Sequence, residues 1–207
     1  YRTQLYSKMN DQLGHGFILG SETASTVSSR GVYKFPVVRV DGKAYDDGQC
    51  SSYDMEACWW SNIPEDDWLL QDDKPWVIGE FVWTGFDYLG EPTPYDEYWP
   101  SRSSYFGIFD LAGLPKDRYF LYRSHWNKQE NTIHLLPHWT LPGREGETTP
   151  VYCYTNHPTA ELFVNGVSQG RITKRHNQAA TYDKGGRITD ISNPCIDRYR
   201  LRWNNVA

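Results

Sequence analysis

One glutamate in this sequence stands where a parallel strand would end. A short apolar run, Phe17-Ile18-Leu19, leads through Gly20 to Glu22 and then to small, hydroxyl-bearing residues. Such a run between helical segments is typical of a buried parallel strand. Barrels of the α/β type place catalytic groups at the C-terminal ends of their strands, so Glu22 is a candidate catalytic carboxylate. The structural alternative is a strand-end carboxylate that accepts hydrogen bonds from nearby backbone amides.

Aromatic side chains are the second feature that points to chemistry. They make up 15% of the chain, with nine Trp and fifteen Tyr. Flat aromatic faces supply large contact areas, and the apolar C–H faces of sugar rings stack on them. Most of these side chains are expected to fill the core, but their excess favours a carbohydrate ligand.

Charge and composition argue against several other classes of partner. The net charge of −5 indicates neither a nucleic acid nor an anionic membrane. No apolar run approaches the roughly 20 residues of a membrane span, and no signal peptide is recognisable. The four cysteines have no spacing suited to zinc, and no ligand cluster predicts a metal or other cofactor. They are Cys50, Cys58, Cys153 and Cys195; the first two share a loop and could pair or remain free thiols.

Helix and strand patterns alternate in the first 126 residues. Apolar residues at four-residue spacing predict a helix over residues 1–13, and an acidic first turn predicts another from Glu65. Residues 75–83 form a second apolar strand pattern, and a proline-led helix precedes residue 126. Long loops, residues 25–63 and 84–106, follow the two strands. This order predicts two βα units, whose loops build the active sites of barrel enzymes.

From about residue 127 the pattern changes to short β-strands. Strand patterns at residues 132–138, 150–154 and 160–164 are separated by turn residues, and Asn165-Gly166 is a strong hairpin signal. Residues 198–203 then alternate between arginine and apolar side chains. The series predicts an immunoglobulin-like β-sandwich. The arginine row could bind an anion, but in a chain of negative charge we expect a solvated strand face.

These patterns divide the chain at about residue 126. We predict a mixed α/β and all-β protein, in which residues 1–126 form part of a TIM (β/α)8 barrel and residues 127–207 form the sandwich. Two βα units cannot close a barrel of eight strands, and the sandwich pattern stops directly after a strand. We therefore expect a truncated piece of a longer chain.

Four segments form an ordered set: residues 17–25, 77–89, 106–126 and 138–170. In order and spacing they resemble glycoside hydrolase family 2, and the β-galactosidases look closest. The resemblance covers nearly the whole chain. It implies that residues 17–22 are the seventh barrel strand, that residues 76–83 are the eighth, and that an immunoglobulin-like domain follows.

The resemblance also implies roles for individual residues. Glu22 matches the catalytic nucleophile of the family, and Trp83 matches the tryptophan that lines its sugar site. Asp54, Trp60 and Asp87 lie in loops suited to substrate binding. The acid/base glutamate of the family would lie upstream of this chain. Relatives in the family use Mg²⁺ or Na⁺, for which no ligand cluster is recognisable here.

The implied reaction is a double displacement that retains configuration at the anomeric carbon. Glu22 would form a glycosyl-enzyme ester, and the upstream glutamate would then activate water. Glu22 must be ionised for this step, and we expect Ser21, Thr23 or Ser25 to donate hydrogen bonds to it. Glu80, three residues before the end of its strand, is expected to have a structural role.

Other functions remain open at this stage. A β-glucuronidase or a β-mannosidase would share the scaffold, and the residues that discriminate them lie partly upstream. A non-catalytic carbohydrate-binding or structural module would instead use sandwich aromatics such as Trp139. The expected partners are a carbohydrate substrate, the upstream part of the same polypeptide and a second copy in a homo-oligomer. A periplasmic or secreted location fits the family loosely.

Overall fold

The computed structural model of the chain describes residues 2–97, 99, 103–175 and 196–207. Its first part alternates helices and strands. The elements are a 3-10 turn (Thr3–Leu5), α1 (Tyr6–Leu13), β1 (Ile18–Thr23), β2 (Val40–Asp41), β3 (Glu56–Ala57), α2 (Pro64–Asp73), β4 (Val77–Val82) and α3 (Asp117–Trp126). The two-residue strands β2 and β3 pair in parallel within the long loop that follows β1. This part is therefore mixed α/β, as the sequence predicts.

The second part consists of antiparallel strands. They are β5 (Ile133–Leu136), β6 (Thr149–Thr155), β7 (Thr159–Val164), β8 (Val167–Thr173) and β9 (Arg200–Val206), with a 3-10 turn (Ile196–Arg198) before the last. One sheet has the order β5-β6-β9, and β7-β8 form a hairpin whose turn is Asn165-Gly166. Both turn residues have positive φ, 49° and 80°, as this hairpin turn requires. Val151, Leu162 and Trp203 meet in one cluster, so the two sheets pack face to face.

Strands β1 and β4 are parallel neighbours. Ile18 pairs with Val77 at one end of the ladder and Thr23 pairs with Val82 at the other. Parallel strands of this kind are normally covered on both faces. Phe81 nevertheless leaves 63% of its surface exposed and Phe17 leaves 68%. The pairing predicted from the βα pattern is present, and it presents apolar side chains to the outside.

The acidic first turn of α2 is buried at the junction between the two parts. Pro64 occupies the first helical position, and the Asp66 carboxylate accepts a hydrogen bond of 3.1 Å from the backbone N–H of Ile63. Glu65, Asp66 and Asp67 are all buried. Each has a partner: Glu65 pairs with an arginine of β9, Asp66 with Arg39 at 3.0 Å, and Asp67 with the Asn62 amide. The helix dipole alone does not explain these acids, because Glu65 joins α2 to β9 while Asp66 and Asp67 fix α2 to the loops of the first part.

The expectation of a solvated arginine face on β9 is wrong. Arg200 is fully buried, forms a two-point ion pair with Glu65 and donates to the backbone oxygens of Tyr53 and Asp54 at 2.6 and 3.0 Å. Arg198 pairs with Asp73 at 2.9 Å. The opposite face of β9 fills the sandwich core, so the arginine face is the one that packs against the first part of the chain. A buried charge requires such pairing, because desolvation of a lone ion is costly.

The described cysteines are free thiols. Cys50, Cys58 and Cys153 are all buried, so the question of a bond between Cys50 and Cys58 is answered in favour of free thiols. Cys195 lies outside the described residues. Within the described ranges no helix is long and apolar enough to cross a membrane.

Candidate active site

The structure brings Glu22 and Trp83 to the ends of neighbouring strands. The backbone N–H of Trp83 donates to the carbonyl of Thr23 at 2.9 Å, which extends the β1–β4 ladder by one residue beyond Val82. Glu22 directly precedes Thr23 and is exposed. Trp83 leaves 36% of its surface exposed. A carboxylate and an indole therefore lie at the same C-terminal edge, where α/β barrels place their chemistry.

Buried contacts beneath this edge hold β1 to β4. The Thr23 hydroxyl donates to one carboxylate oxygen of Glu80 at 2.7 Å, and Trp68 Nε1 donates to the other at 2.7 Å. Burial raises the pKa of Glu80. A Cβ atom on Gly20 would lie 2.6 Å from Thr23 Cγ2, so the strand needs glycine there. Glu80 has the structural role expected of it, whereas the prediction that Thr23 donates to Glu22 is wrong because its hydroxyl is engaged with Glu80.

Trp83 is oriented by two residues that the sequence reasoning missed. Its indole Nε1 donates to the Tyr88 hydroxyl at 3.2 Å, and that hydroxyl in turn donates to Glu91. The rings of Trp83 and Tyr88 meet edge to face with centroids 6.0 Å apart. Desolvation and the hydrogen bond to Glu91 raise the pKa of Tyr88 to about 12. Tyr88 lies within the 77–89 segment, which is the signal that could have identified it.

Trp60 lies in the segment that follows β3. The backbone N–H of Cys58 donates to the carbonyl of Ser25 at 3.2 Å, which holds the segment after β3 against the chain that leaves β1. Trp60 packs against a buried cluster that includes Phe106, and Tyr88 packs against that cluster too. Its neighbour Trp59 is 68% exposed. Trp60 and Tyr88, the residue that accepts the hydrogen bond from Trp83, therefore border the same buried cluster.

Asp54 lies elsewhere, and its side chain does not reach an open surface. Its side chain is fully buried at the junction of the two parts. One carboxylate oxygen accepts a hydrogen bond of 3.0 Å from Tyr154, and the other lies 3.8 Å from Arg118 Nε. Burial raises the pKa of Asp54 to about 6. The long loop turns inward at this residue, so the carboxylate supports the junction and does not face an open surface.

Asp87 also has structural partners. It forms an ion pair of 2.7 Å with Lys116 and accepts a hydrogen bond of 2.7 Å from the backbone N–H of Gly107. A Cβ atom on Gly107 would lie 2.2 Å from the Asp87 backbone nitrogen, so only glycine fits this close approach. The Asp87 side chain is only 7% exposed. Asp87 thus fixes the loop that carries Trp83 and Tyr88, and direct contact with a sugar hydroxyl is not supported.

No metal centre accompanies this site in the described part of the chain. Across those residues, no group of three or more His, Cys, Asp and Glu side chains is placed to hold an ion. What the edge offers is an exposed carboxylate, an oriented indole and further aromatic surface. The carboxylate can attack an electrophilic carbon, and the aromatic side chains can stack against an apolar ring face.

Comparison with known proteins finds similar β-glycosidases. The β-galactosidase BoGH2A of Bacteroides ovatus is 46% identical over 160 residues, which are 72% of this chain and 18% of that protein. A β-glucuronidase of Bacteroides fragilis is 28% identical over 72% of this chain and 23% of its own length. The solved structure of a β-glycosidase from Bacteroides vulgatus covers 82% of this chain with a TM-score of 0.68 and 32% identity; the match covers 24% of that structure. A profile described as a domain of unknown function, DUF4982, matches residues 146–207.

These similarities place the chain among the relatives of glycoside hydrolases that combine an α/β part with β domains. Within that class the chain is a homologue of glycoside hydrolase family 2. It spans about a fifth of the length of the relatives it matches, 18% of one and 23% of another.

Proposed function

We propose that this chain supplies the nucleophile and part of the sugar-binding wall of a retaining β-glycosidase. The observation that carries the proposal is the location of Glu22 and Trp83 at the ends of two hydrogen-bonded parallel strands. Names of the similar proteins agree on hydrolysis of glycosides, which supports the reaction class. The exposed Glu22 favours catalysis over a purely structural module.

The proposed reaction proceeds in two displacements. A carboxylate oxygen of Glu22 attacks the anomeric carbon, the bond to the aglycone oxygen breaks, and a second carboxyl group protonates that oxygen. The same second group then takes a proton from water, whose oxygen attacks the anomeric carbon and releases Glu22. Retention requires the two carboxyl groups to lie about 5–5.5 Å apart. We assign the second group to the part of the polypeptide upstream of Tyr1.

The proposal includes an assignment of the elements. We infer that β1 and β4 are the seventh and eighth strands of the barrel, that residues 1–126 belong to it, and that residues 127–207 are an immunoglobulin-like domain. The exposed apolar side chains of the two strands support this, since neighbouring strands and helices would cover them. Partners under this proposal are the upstream polypeptide, a carbohydrate substrate and a second copy of the protein. Its location would be periplasmic or secreted.

A terminal β-galactoside is the first candidate substrate. The relative of 46% identity is a β-galactosidase, which supports that sugar. A β-glucuronide is the second candidate, because a β-glucuronidase also matches over 72% of the chain. Both sugars use the same nucleophile, so the choice between them does not alter the role of Glu22. A β-mannoside is a further alternative on the same scaffold.

Covalent trapping tests the proposal in the natural polypeptide that contains this chain. A 2-deoxy-2-fluoro-β-galactoside leaves a stable ester on the nucleophile, which peptide mass spectrometry locates. We expect the label on Glu22 and no label in the Glu22→Gln variant. A label on Glu22 only from the matching glucuronide or mannoside probe would keep the mechanism and change the sugar. A label on another carboxylate would overturn the assignment of Glu22, and no label from any probe would favour a binding module.

A further inference from the structure

A groove lies between the β-sandwich and the loop of the first part that carries Phe35. It consists of two cavities of about 520 and 650 Å³ that meet at Arg144 and Glu147. The loop between β5 and β6 forms one wall, including Trp139, and a segment around Phe35 forms part of the other. Neither Glu22 nor Trp83 lines it. Each volume falls in the range of small-molecule sites, and the two together suit an elongated ligand.

The groove is fixed by contacts between the two parts of the chain. The Arg144 guanidinium stacks on the Phe35 ring at 3.7 Å and pairs with Glu147 at 2.7 Å. It also donates to the carbonyl of Thr148 at 3.0 Å. At the base of the loop, the His138 ring bonds with the carbonyl of Gly31 at 3.0 Å. The walls are therefore held in place without a ligand, which lowers the entropy cost of binding one.

Trp139 supplies the recognition surface. It is 60% exposed, although tryptophan is on average a highly buried residue. Leu141, Pro142 and Val206 line the same cavity and make its floor apolar. An exposed indole beside an apolar floor matches a flat ring with one apolar face and a polar rim. A sugar ring has that shape and polarity.

The charged side chains of the groove select among sugars. Arg144 is already neutralised by Glu147, and Glu145 adds a further carboxylate that accepts a hydrogen bond of 3.3 Å from the Gly143 backbone N–H. Two carboxylates and one guanidinium give this surface a net negative charge. An anionic ligand would be repelled, whereas neutral hydroxyl groups can donate to the carboxylate oxygens.

We propose that this groove binds a neutral oligosaccharide, with Trp139 as the stacking surface. Such a site would hold a glycan chain along the loop between β5 and β6, independently of any bond cleavage at Glu22. Its ligand class agrees with the proposed function, but the binding requires no activity at Glu22 and is measured in the natural polypeptide that contains this chain.

Calorimetric titration with neutral tetrasaccharides is the first test. β-Linked galactose, glucose and mannose tetramers are the probes, together with one tetramer that ends in glucuronate. We expect at least one neutral probe to bind and the Trp139→Ala variant to weaken that binding roughly tenfold or more, as truncation of an anchoring tryptophan does. Phe163→Ala, which removes a 57% exposed aromatic from β7 outside the groove, is the matched control and should leave affinity unchanged.

Two further variants separate this site from the candidate active site. Glu22→Gln should retain full binding, and Trp139→Phe should retain part of it because a flat ring remains. Loss of binding in Glu22→Gln would assign the ligand to the strand ends and overturn the proposal. Tighter binding of the acidic probe, an unaffected Trp139→Ala variant, or no binding of any neutral probe would overturn it as well. Thermal unfolding of each variant reports whether the groove is still folded.

Discussion

At the scale of single residues, Glu22 is the only group at the C-terminal edge of β1 and β4 for which we propose bond formation. The neighbouring carboxylate on the same two strands, Glu80, holds Thr23 and Trp68 and so serves the scaffold. Because nucleophile and support are separate carboxylates, substitution of each should produce a different kinetic signature.

We expect Glu22→Gln to lower kcat in the natural polypeptide by about a thousandfold or more, because the amide cannot form the glycosyl ester. Steady-state rates on an aryl β-galactoside or β-glucuronide measure the effect. Glu97→Gln is the matched control, since this carboxylate is exposed and pairs with the surface lysine Lys43 at 2.9 Å. Retention of half the activity in Glu22→Gln would remove Glu22 from the mechanism.

Trp83→Ala should lower kcat/KM by roughly ten- to a hundredfold through loss of stacking. Trp83→Phe keeps an aromatic face but loses the hydrogen bond from Nε1 to Tyr88, so we expect an intermediate value. Tyr88→Phe removes the acceptor of this hydrogen bond and leaves the indole in place. It therefore separates the contribution of the hydrogen bond from that of stacking. Equal rates for Trp83→Ala and wild type would show that the indole does not contact the substrate.

At the scale of elements, the pairing between α2 and β9 joins the two parts of the chain. Arg200→Met removes one partner of a fully buried ion pair and leaves the Glu65 carboxylate buried without its counter-ion. We expect a loss of about 3–5 kcal/mol in the free energy of unfolding. Arg171→Met is the matched control on β8, because its pair with Glu161 is screened by solvent and contributes little to stability. Urea denaturation compares the two, and equal losses would refute the role assigned to Arg200.

Glu56 on β3 makes stability depend on pH. It is buried and accepts a hydrogen bond of 2.7 Å from the Ser51 backbone N–H, and desolvation raises its pKa to about 8. The folded state therefore holds this proton more tightly than the unfolded chain does. The resulting stabilisation is complete below the ordinary glutamate pKa of about 4.3 and is lost as pH rises through 8.

We therefore expect Glu56→Gln to reduce the fall in unfolding free energy between pH 5 and 8, and to be more stable than wild type at pH 8. Urea denaturation at several pH values measures this, and Glu130→Gln, an exposed carboxylate on the loop after α3, is the control. The raised pKa of Asp54 also makes the free energy of unfolding fall with rising pH, and it does so in the wild type and in Glu56→Gln alike. An unchanged slope in Glu56→Gln would mean that Glu56 ionises freely in the folded state.

Local patterns predicted most elements but not the contacts between them. Apolar runs and turn residues located β1, β4 and the hairpin, since periodicity and turn chemistry act over a few residues. The burial of Arg200 could not be read from its own strand, because alternation shows that β9 has two faces but not what covers each one. The complementary signal was Glu65 in the acidic first turn of α2, far away in sequence. The burial of Asp54 could not be predicted for the same reason, because its loop turns inward to meet Tyr154.

At the scale of the whole molecule, the exposed apolar side chains of β1 and β4 determine how the chain behaves alone. Phe17, Leu19, Ile78 and Phe81 each leave 46% or more of their surface exposed. Burial of apolar surface is worth about 25 cal/mol per Å², so two copies gain by covering these faces with each other. The edges of a two-stranded parallel sheet also leave backbone groups that can pair with another strand.

We therefore expect the chain of 207 residues to self-associate in sedimentation velocity experiments, increasingly so at higher protein concentration. Substitution of Ile78 and Phe81 by lysine should shift the distribution towards monomer, because charge repulsion and lost apolar area both oppose association. Phe163→Lys, on the exposed hairpin of the sandwich, should leave the distribution unchanged. A monomer at every concentration would show that the exposed apolar side chains of β1 and β4 do not drive association. The assignment of these strands to the interior of a larger barrel would then lose its main structural support.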